Sequence, residues 1–258
     1  MSGIDGVRAW MHSTFSPVDE QVTATLAADS WLVVDGRTLA FERHQRRFTD
    51  AVEHAGGDPA DALAASAAAA RLAPSTGRWS PRLDLTPAGI RLRIRPAPEP
   101  SRTVAVTTAQ RDPRSQPLQK GPDLAALGEL QSAESARVGA AVEPIITVDG
   151  SIAESSWSAV LWWRGDALCM PDARIPRLGS VTAAVLVEIA RADGIEVREE
   201  AASPADLDGC EVWLANALRG IRAVSEWRHG PHVAAATRAD AWQQRLERER
   251  DAASVVSR

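Results

Sequence analysis

Two neighbouring segments alternate strictly between apolar and polar residues, and this alternation constrains the fold more than any other feature of the sequence. The segments are RLDLT (82–86) and GIRLRIRP (89–96), and the turn Pro87-Ala88-Gly89 joins them. Successive side chains of a β-strand point to opposite faces of a sheet. The pair therefore predicts a β-hairpin with one apolar face and one polar face.

Helical and extended patterns alternate along the rest of the chain. One apolar stripe predicts a helix from about His44 to Ala55, which Gly56-Gly57 ends. Asp58 is a helix-capping residue followed by Pro59, and this predicts a second helix that runs to about Leu72. The remaining predicted helices cover 123–138, 180–192, a short stretch near 204–208, and the charged tail 237–253. The remaining predicted strands cover 31–34 with a turn at Asp35-Gly36, 39–41, 103–108, 144–150, the hairpin 159–163/167–170, 195–200, 210–216 and 221–227.

The segment AQRDPRSQPLQ (109–119) is polar and contains two prolines. Such composition is typical of a linker or domain boundary. We therefore predict a small N-terminal α/β domain (1–108), an interdomain linker (109–119) and a larger C-terminal domain (120–258). The fold class is α/β (α+β) with many hairpins.

Composition excludes several classes of protein. The net charge of −5 argues against a nucleic-acid-binding protein, which usually has a basic face. No apolar run reaches the roughly 18 residues that span a membrane, and the N-terminus has no secretion signal. The two cysteines and five histidines form no metal-binding spacing, so we expect no metal, and a cytoplasmic, reduced protein.

Lys120 is the only lysine among 29 basic residues. The chain is rich in Ala, Arg, Val and Gly, as GC-rich coding favours, and arginine can replace a surface lysine at little cost. A site that needs a primary amine cannot accept this exchange, because arginine stays protonated and forms no Schiff base. The lone lysine indicates such a site, although its survival by chance is an equally good interpretation of this one observation.

Five short motifs, in order, resemble the class IV aminotransferase family of fold-type IV enzymes. They are ADSWLVVDGRTLAFERHQRRFTDAV (28–52), QKGPDLAAL (119–127), VDGSIAES (148–155), IPRLGSVTAAVL (175–186) and CEVWLANALRGIRAV (210–224). The resemblance implies a two-domain fold-type IV enzyme with a β-barrel-like C-terminal domain. It also implies the cofactor pyridoxal 5′-phosphate (PLP) and a homodimer.

The same resemblance assigns roles to individual residues. Lys120 is the catalytic residue and the Schiff-base lysine, and Glu154 is the acidic partner of the pyridine nitrogen. Arg47 supplies positive charge to the phosphate, Ser180 and Val181 supply backbone N–H groups at a helix start, and Asn216 and Ala217 form a phosphate-side segment.

The reaction is less well determined than the cofactor. The segment ANALRGIRAV and the absence of tyrosine favour an aminodeoxychorismate lyase, which eliminates pyruvate to leave 4-aminobenzoate for folate synthesis. One alternative is a true aminotransferase that acts on an L- or D-amino acid and a 2-oxo acid. A third is a cofactor-free relative with a binding or structural role, since Thr182 and Ala159 stand where the family has arginine and asparagine. Under the first two alternatives, the substrate is an amino-acid-like small molecule.

Overall fold

The computed structural model describes residues 6–19 and 24–252, which form two compact units. The first unit lies within Met1–Pro98, Gln119–Pro122 and Glu249–Arg258, and the second is Glu99–Leu118 and Asp123–Arg248. Within the described ranges, no helix is both long and apolar enough to cross a membrane.

The first unit contains an antiparallel sheet and two helices. Its strands run in the order β16-β5-β4-β6-β7-β1-β2, and β3 also pairs with β6. The bounds are β1 Val7–Met11, β2 Thr14–Val18, β3 Ala27–Ser30, β4 Val33–Val34, β5 Arg37–Leu39, α1 Phe41–His54, α2 Pro59–Leu72, β6 Arg78–Thr86, β7 Gly89–Pro96 and β16 Arg250–Ala252.

Alternation along β6 and β7 explains how this unit builds its core. Leu83 on β6 lies directly opposite Leu92 on β7, and both are fully buried. They pack in one cluster with Phe48 and Val52 of α1 and with the alanines of α2. The opposite face of these strands presents arginines and Asp84. The two faces therefore differ as the sequence pattern predicts.

The second unit also contains one sheet. Its strands run in the order β10-β9-β8-β15-β14-β11-β12-β13, with β8 parallel to both β9 and β15, and β13 parallel to β12. The bounds are β8 Thr103–Thr108, α3 Leu124–Val138, β9 Glu143–Val148, β10 Ser151–Ser155, β11 Ala159–Arg164, β12 Ala167–Pro171, α4 Val181–Ala192, β13 Val197–Glu200, a 3₁₀ helix Pro204–Leu207, β14 Glu211–Asn216, β15 Gly220–Arg228 and α5 Ala239–Arg248.

Most predicted elements are confirmed, and so is the mixed α/β class. The hairpin β6–β7 is present, and the side chain of Asp58 accepts a hydrogen bond from Ala60 N at the start of α2. Residues 109–119 contain no helix or strand. Whether they divide the chain into the domains 1–108 and 120–258 stays a prediction.

Several predicted elements have other bounds in the structure. The strand predicted at 31–34 covers only Val33–Val34, and the helix predicted from His44 begins at Phe41. The strand predicted at 39–41 covers Arg37–Leu39 instead, because Phe41 already begins α1. The tail helix stops at Arg248, and Arg250–Ala252 pair with β5 instead. Local periodicity cannot reveal this ending, because the stabilising hydrogen bonds come from a strand some 200 residues earlier.

Candidate active site

Lys120 lies along the edge of β3 in the first unit. Its carbonyl accepts a 2.7 Å hydrogen bond from Ala28 N, and the side chain of the preceding Gln119 donates to Leu26 O at 2.8 Å. The lysine side chain is partly buried. A backbone held in this way fixes the direction in which the Lys120 side chain leaves the main chain.

Gly121 makes this close approach possible. A Cβ atom at this position would lie 2.8 Å from Ala27 Cα and 3.0 Å from Ala27 N, closer than side-chain carbons come to backbone. The residue also has a φ of +141°, which L-residues rarely adopt. The glycine after the lysine is therefore required for the contact between this segment and β3.

A buried carboxylate lies one residue beyond Ala28. Asp29 accepts hydrogen bonds from Arg47 Nε at 2.7 Å and Arg47 Nη2 at 3.0 Å, and His44 Nδ1 lies 2.9 Å from it. His44 and Arg47 sit one turn apart on α1, so they reach the same strand residue together. The bidentate contact holds the Arg47 guanidinium in one orientation.

Electrostatics explain how three ionisable groups coexist there. Burial alone raises the pKa of Asp29, but the charges and hydrogen bonds of Arg47 and His44 outweigh it and hold this pKa well below its usual value. Burial lowers the pKa of His44, although Asp29 opposes the shift, and the nearby charges of Arg47 and Lys120 lower it further. His44 is therefore neutral near pH 7, while Asp29 is ionised.

In the second unit, Glu154 lies on β10 and is held by an arginine that the sequence analysis did not single out. Arg114 Nη1 donates to Glu154 Oε1 at 2.6 Å, and the backbone N–H of Leu178 donates to Oε2 at 3.3 Å. Asp112 accepts two further hydrogen bonds from the Arg114 side chain. Despite burial, these carboxylates raise the pKa of Arg114, so the guanidinium stays charged beside Glu154.

The contact with Leu178 brings Glu154 next to the start of α4. Ser180 is the helix N-cap, and its hydroxyl accepts a hydrogen bond from Ala183 N. Val181 and Thr182 are the first two helical residues, and an α-helix offers no acceptor to their N–H groups. This end of the helix carries partial positive charge, which suits an anion.

Asn216 ends β14, as predicted, but its side chain is engaged in local structure. Its amide oxygen accepts hydrogen bonds from Leu218 N at 3.1 Å and Arg219 N at 2.9 Å, and its amide nitrogen donates to Ser158 Oγ at 2.9 Å. Ala217 is partly buried in the turn that follows. Asn216 therefore shapes this turn, and any contact to a ligand comes from the backbone that it holds.

The predicted residues thus fall into two separate groups, one within each unit. Lys120 and Arg47 are linked in the first unit through Ala28 and Asp29. The second group comprises Glu154, Ser180, Val181, Asn216 and Ala217.

The family model described as amino-transferase class IV matches residues 26–227. The match includes every predicted site residue and covers most of the chain. The chain belongs to the class IV aminotransferase family. The expectations of an enzyme and of PLP as its cofactor are confirmed at the level of this family.

Several solved structures share the fold of this chain. A hypothetical aminotransferase from Mycobacterium tuberculosis, in PLP-bound form, is 18% identical and has a TM-score of 0.72, over 91% of this chain and 95% of that chain. A fold IV-transaminase from Curtobacterium pusillum is 19% identical, with a TM-score of 0.73 and 92% and 90% coverage. A putative 4-amino-4-deoxychorismate lyase from Legionella pneumophila is 14% identical, with a TM-score of 0.72 and 90% and 97% coverage.

The TM-scores of 0.72–0.73 over most of each chain establish the fold, and the fold-type IV prediction is confirmed. No curated protein matches the sequence of this class IV family member.

The residues at the α4 N-terminus fit the phosphate of PLP. The side chain of Thr182 is buried, and its hydroxyl has no hydrogen-bond partner among the residues that the structure describes. A buried donor without a partner, beside helical N–H groups, matches a phosphate oxygen. The carboxylate of Glu154 lies near this end of the helix, where it accepts a hydrogen bond from Leu178 N.

Four residues with a place in this arrangement were not found from the sequence. Asp29 lies in a matched motif but forms its contacts only in three dimensions, and Arg114 lies in the segment that we interpreted as a linker. Thr182 looked like a departure from the family. Gly121 had a signal that could have been used, because it directly follows the only lysine.

Proposed function

We propose that this class IV aminotransferase family member is a PLP-dependent enzyme in which Lys120 binds the cofactor covalently. The observation that carries the proposal is the fixed segment around Lys120. The only side-chain amine of the sequence lies on a strand edge that needs a glycine beside it. The charge of Lys120 also lowers the pKa of His44, and both His44 and Arg47 contact Asp29.

The side chains divide the chemical work. PLP, when bound, withdraws electrons from the bond that breaks at the substrate's alpha carbon. Lys120 anchors the cofactor aldehyde and moves the proton at that carbon. Glu154 holds a proton on the pyridine nitrogen, and Arg114 orients the Glu154 carboxylate through a 2.6 Å hydrogen bond.

The remaining groups bind the phosphate. The first N–H groups of α4, at Val181 and Thr182, and the Thr182 hydroxyl donate hydrogen bonds to it. Ser180 fixes the start of the helix, and Arg47 contributes positive charge. The Asn216–Ala217 turn borders the phosphate side.

For the reaction we propose elimination of pyruvate from 4-amino-4-deoxychorismate, which leaves 4-aminobenzoate. The resemblance of ANALRGIRAV to the lyase segment and the absence of tyrosine support this choice. A second candidate is a transaminase that moves an amino group between an amino acid and a 2-oxo acid, since the fold is shared with a protein described as a fold IV-transaminase. We also propose a cytoplasmic homodimer.

The covalent link is tested by absorbance. Purified protein with PLP is expected to show a band near about 410–430 nm, as Schiff-base chemistry implies, that borohydride bleaches. Lys120→Ala and Lys120→Arg should both lack it, and the arginine variant controls for loss of positive charge. A bleachable band that survives in both variants contradicts the proposal.

The two reactions are separated by leaving out the acceptor. Incubation of the PLP-loaded enzyme with 4-amino-4-deoxychorismate alone should release pyruvate and 4-aminobenzoate in equal amounts. If the enzyme instead consumes an amino acid only when a 2-oxo acid is added, it is a transaminase and the lyase proposal is wrong.

A further inference from the structure

A buried ion pair lies behind two turns of the proposed cofactor site. Glu143, at the start of β9, accepts a 2.5 Å hydrogen bond from Arg222 Nη2 on β15. Both side chains are less than a tenth exposed. Neither residue has a role in the chemistry proposed above.

One carboxylate oxygen of this pair is hydrogen-bonded to the turn that follows Glu154. Ser155, the next residue, donates its hydroxyl to Glu143 Oε1. The same hydroxyl accepts a hydrogen bond from Ser158 N, and Ser155 N donates to Ser158 O, so the turn 155–158 is closed on itself. The orientation of the end of β10 therefore depends on Glu143.

The arginine of the pair is linked by hydrogen bonds to the turn that follows Asn216. Arg222 Nη2 donates to Ser158 Oγ at 3.0 Å, and the same oxygen accepts from Asn216 Nδ2 at 2.9 Å. Asn216 in turn holds the N–H groups of Leu218 and Arg219. The Ser158 hydroxyl thus joins the ion pair to the turn after β14.

Stability alone explains this pair poorly. Desolvation makes a buried ion pair roughly neutral compared with a well-packed apolar pair of the same size. Arg222 Nε also has no hydrogen-bond partner among the described residues, which is a further cost of burial. What the pair adds is geometry, because it fixes two turns relative to one rigid sheet.

We propose that Glu143, Arg222 and Ser158 are positioning residues that set the affinity for PLP by orienting the turns after Glu154 and Asn216. This inference rests on the proposed PLP function and goes beyond it. It assigns a role to three residues that touch no reacting atom.

The main test is Ser158→Ala, which removes one buried hydroxyl and leaves both charges in place. PLP affinity is measured from quenching of tryptophan fluorescence during titration of the apoprotein, and from the pH midpoint of the lysine-bound band. We expect about tenfold weaker PLP binding and a shifted midpoint, since tenfold is what about 1.4 kcal/mol of lost hydrogen bonding gives. The matched control is Ser66→Ala, which removes a buried hydroxyl that donates to Ala62 O of its own helix, and which should bind PLP like the wild type.

A pair of charge variants separates positioning from folding. Arg222→Met leaves the buried Glu143 carboxylate without its cation, and its loss of melting temperature should be large. The double variant Glu143→Gln/Arg222→Met removes both charges and should regain much of that melting temperature. We expect its PLP affinity to stay at least tenfold below wild type. If affinity returns together with the melting temperature, the pair is merely structural and the proposal is overturned.

The outcomes distinguish this inference from the proposed function. A wild-type lysine-bound band combined with unchanged PLP affinity in Ser158→Ala overturns the positioning network alone. Absence of the band in the wild type overturns the proposed function, and this inference with it.

Discussion

Removal of the Asp29 charge should destabilise the first unit strongly. Asp29 is fully buried and accepts three charge-assisted contacts, two from Arg47 and one from His44, at 2.7 to 3.0 Å. Asp29→Asn keeps the volume but places an N–H group against these donors. Breaking a buried pair from one side costs about 3–5 kcal/mol. For a chain of this size, at about 2–4 °C per kcal/mol, the melting temperature should fall by about 10 °C.

The assay is thermal unfolding of the apoprotein, followed by circular dichroism near pH 7.5. The control is Asp193→Asn, which breaks the Arg245 pair at the surface, where each partner is about a third exposed. Exposed pairs contribute about 0–1 kcal/mol, so the control should melt within a few degrees of wild type. If Asp29→Asn melts as the control does, the buried ion pair is not the stabilising element that we describe.

The same cluster sets the pH dependence of stability. The folded pKa of Asp29 lies below the ordinary value of 3.8, so its contribution is present in full above pH 3.8 and is lost as the pH falls through the folded pKa. The folded pKa of His44 is also lowered, from 6.5, chiefly by burial. Folding therefore favours neutral His44, and stability falls as the pH drops below 6.5. In His44→Gln, the loss of stability below pH 6.5 should disappear, while the loss below pH 3.8 should remain. Melting temperatures measured across this pH range would show the difference.

Three further outcomes are expected. Gly121→Ala should lower PLP affinity at least tenfold in a fluorescence titration, because its Cβ meets the backbone of Ala27; normal binding would show that the close contact is dispensable. Ser180→Ala removes the cap that accepts from Ala183 N and should cost about 1 kcal/mol in urea unfolding, and an unchanged midpoint would disprove the capping role. Burial raises the pKa of Cys169 to about 12, so its thiol should resist a disulfide reagent at pH 8 until urea unfolds the protein; rapid labelling of the native form would contradict this.

Local sequence patterns determined much of the fold. Alternation predicted the hairpin 82–96, and Asp58 with Pro59 predicted the start of α2, because strand and helix periods are properties of neighbouring residues. The end of the tail helix at Arg248 was not predicted, since the strand that pairs with the next residues is distant in the chain.

For the candidate site, the sequence supplied the residue types and the tertiary structure supplied their partners. Composition singled out the lone Lys120, and the resemblance to the class IV family singled out Glu154 and the helix start at Ser180.

Only the folded chain shows what orients these groups. Arg114 reaches Glu154 from a segment without regular structure, Asp29 joins β3 to α1, and Arg222 reaches Glu143 across 79 residues of chain. Such contacts depend on strand register and on how a helix packs against its sheet, which no local period encodes. The sequence by itself therefore determined the chemistry that this protein can hold, and the tertiary structure decided how rigidly each group is held.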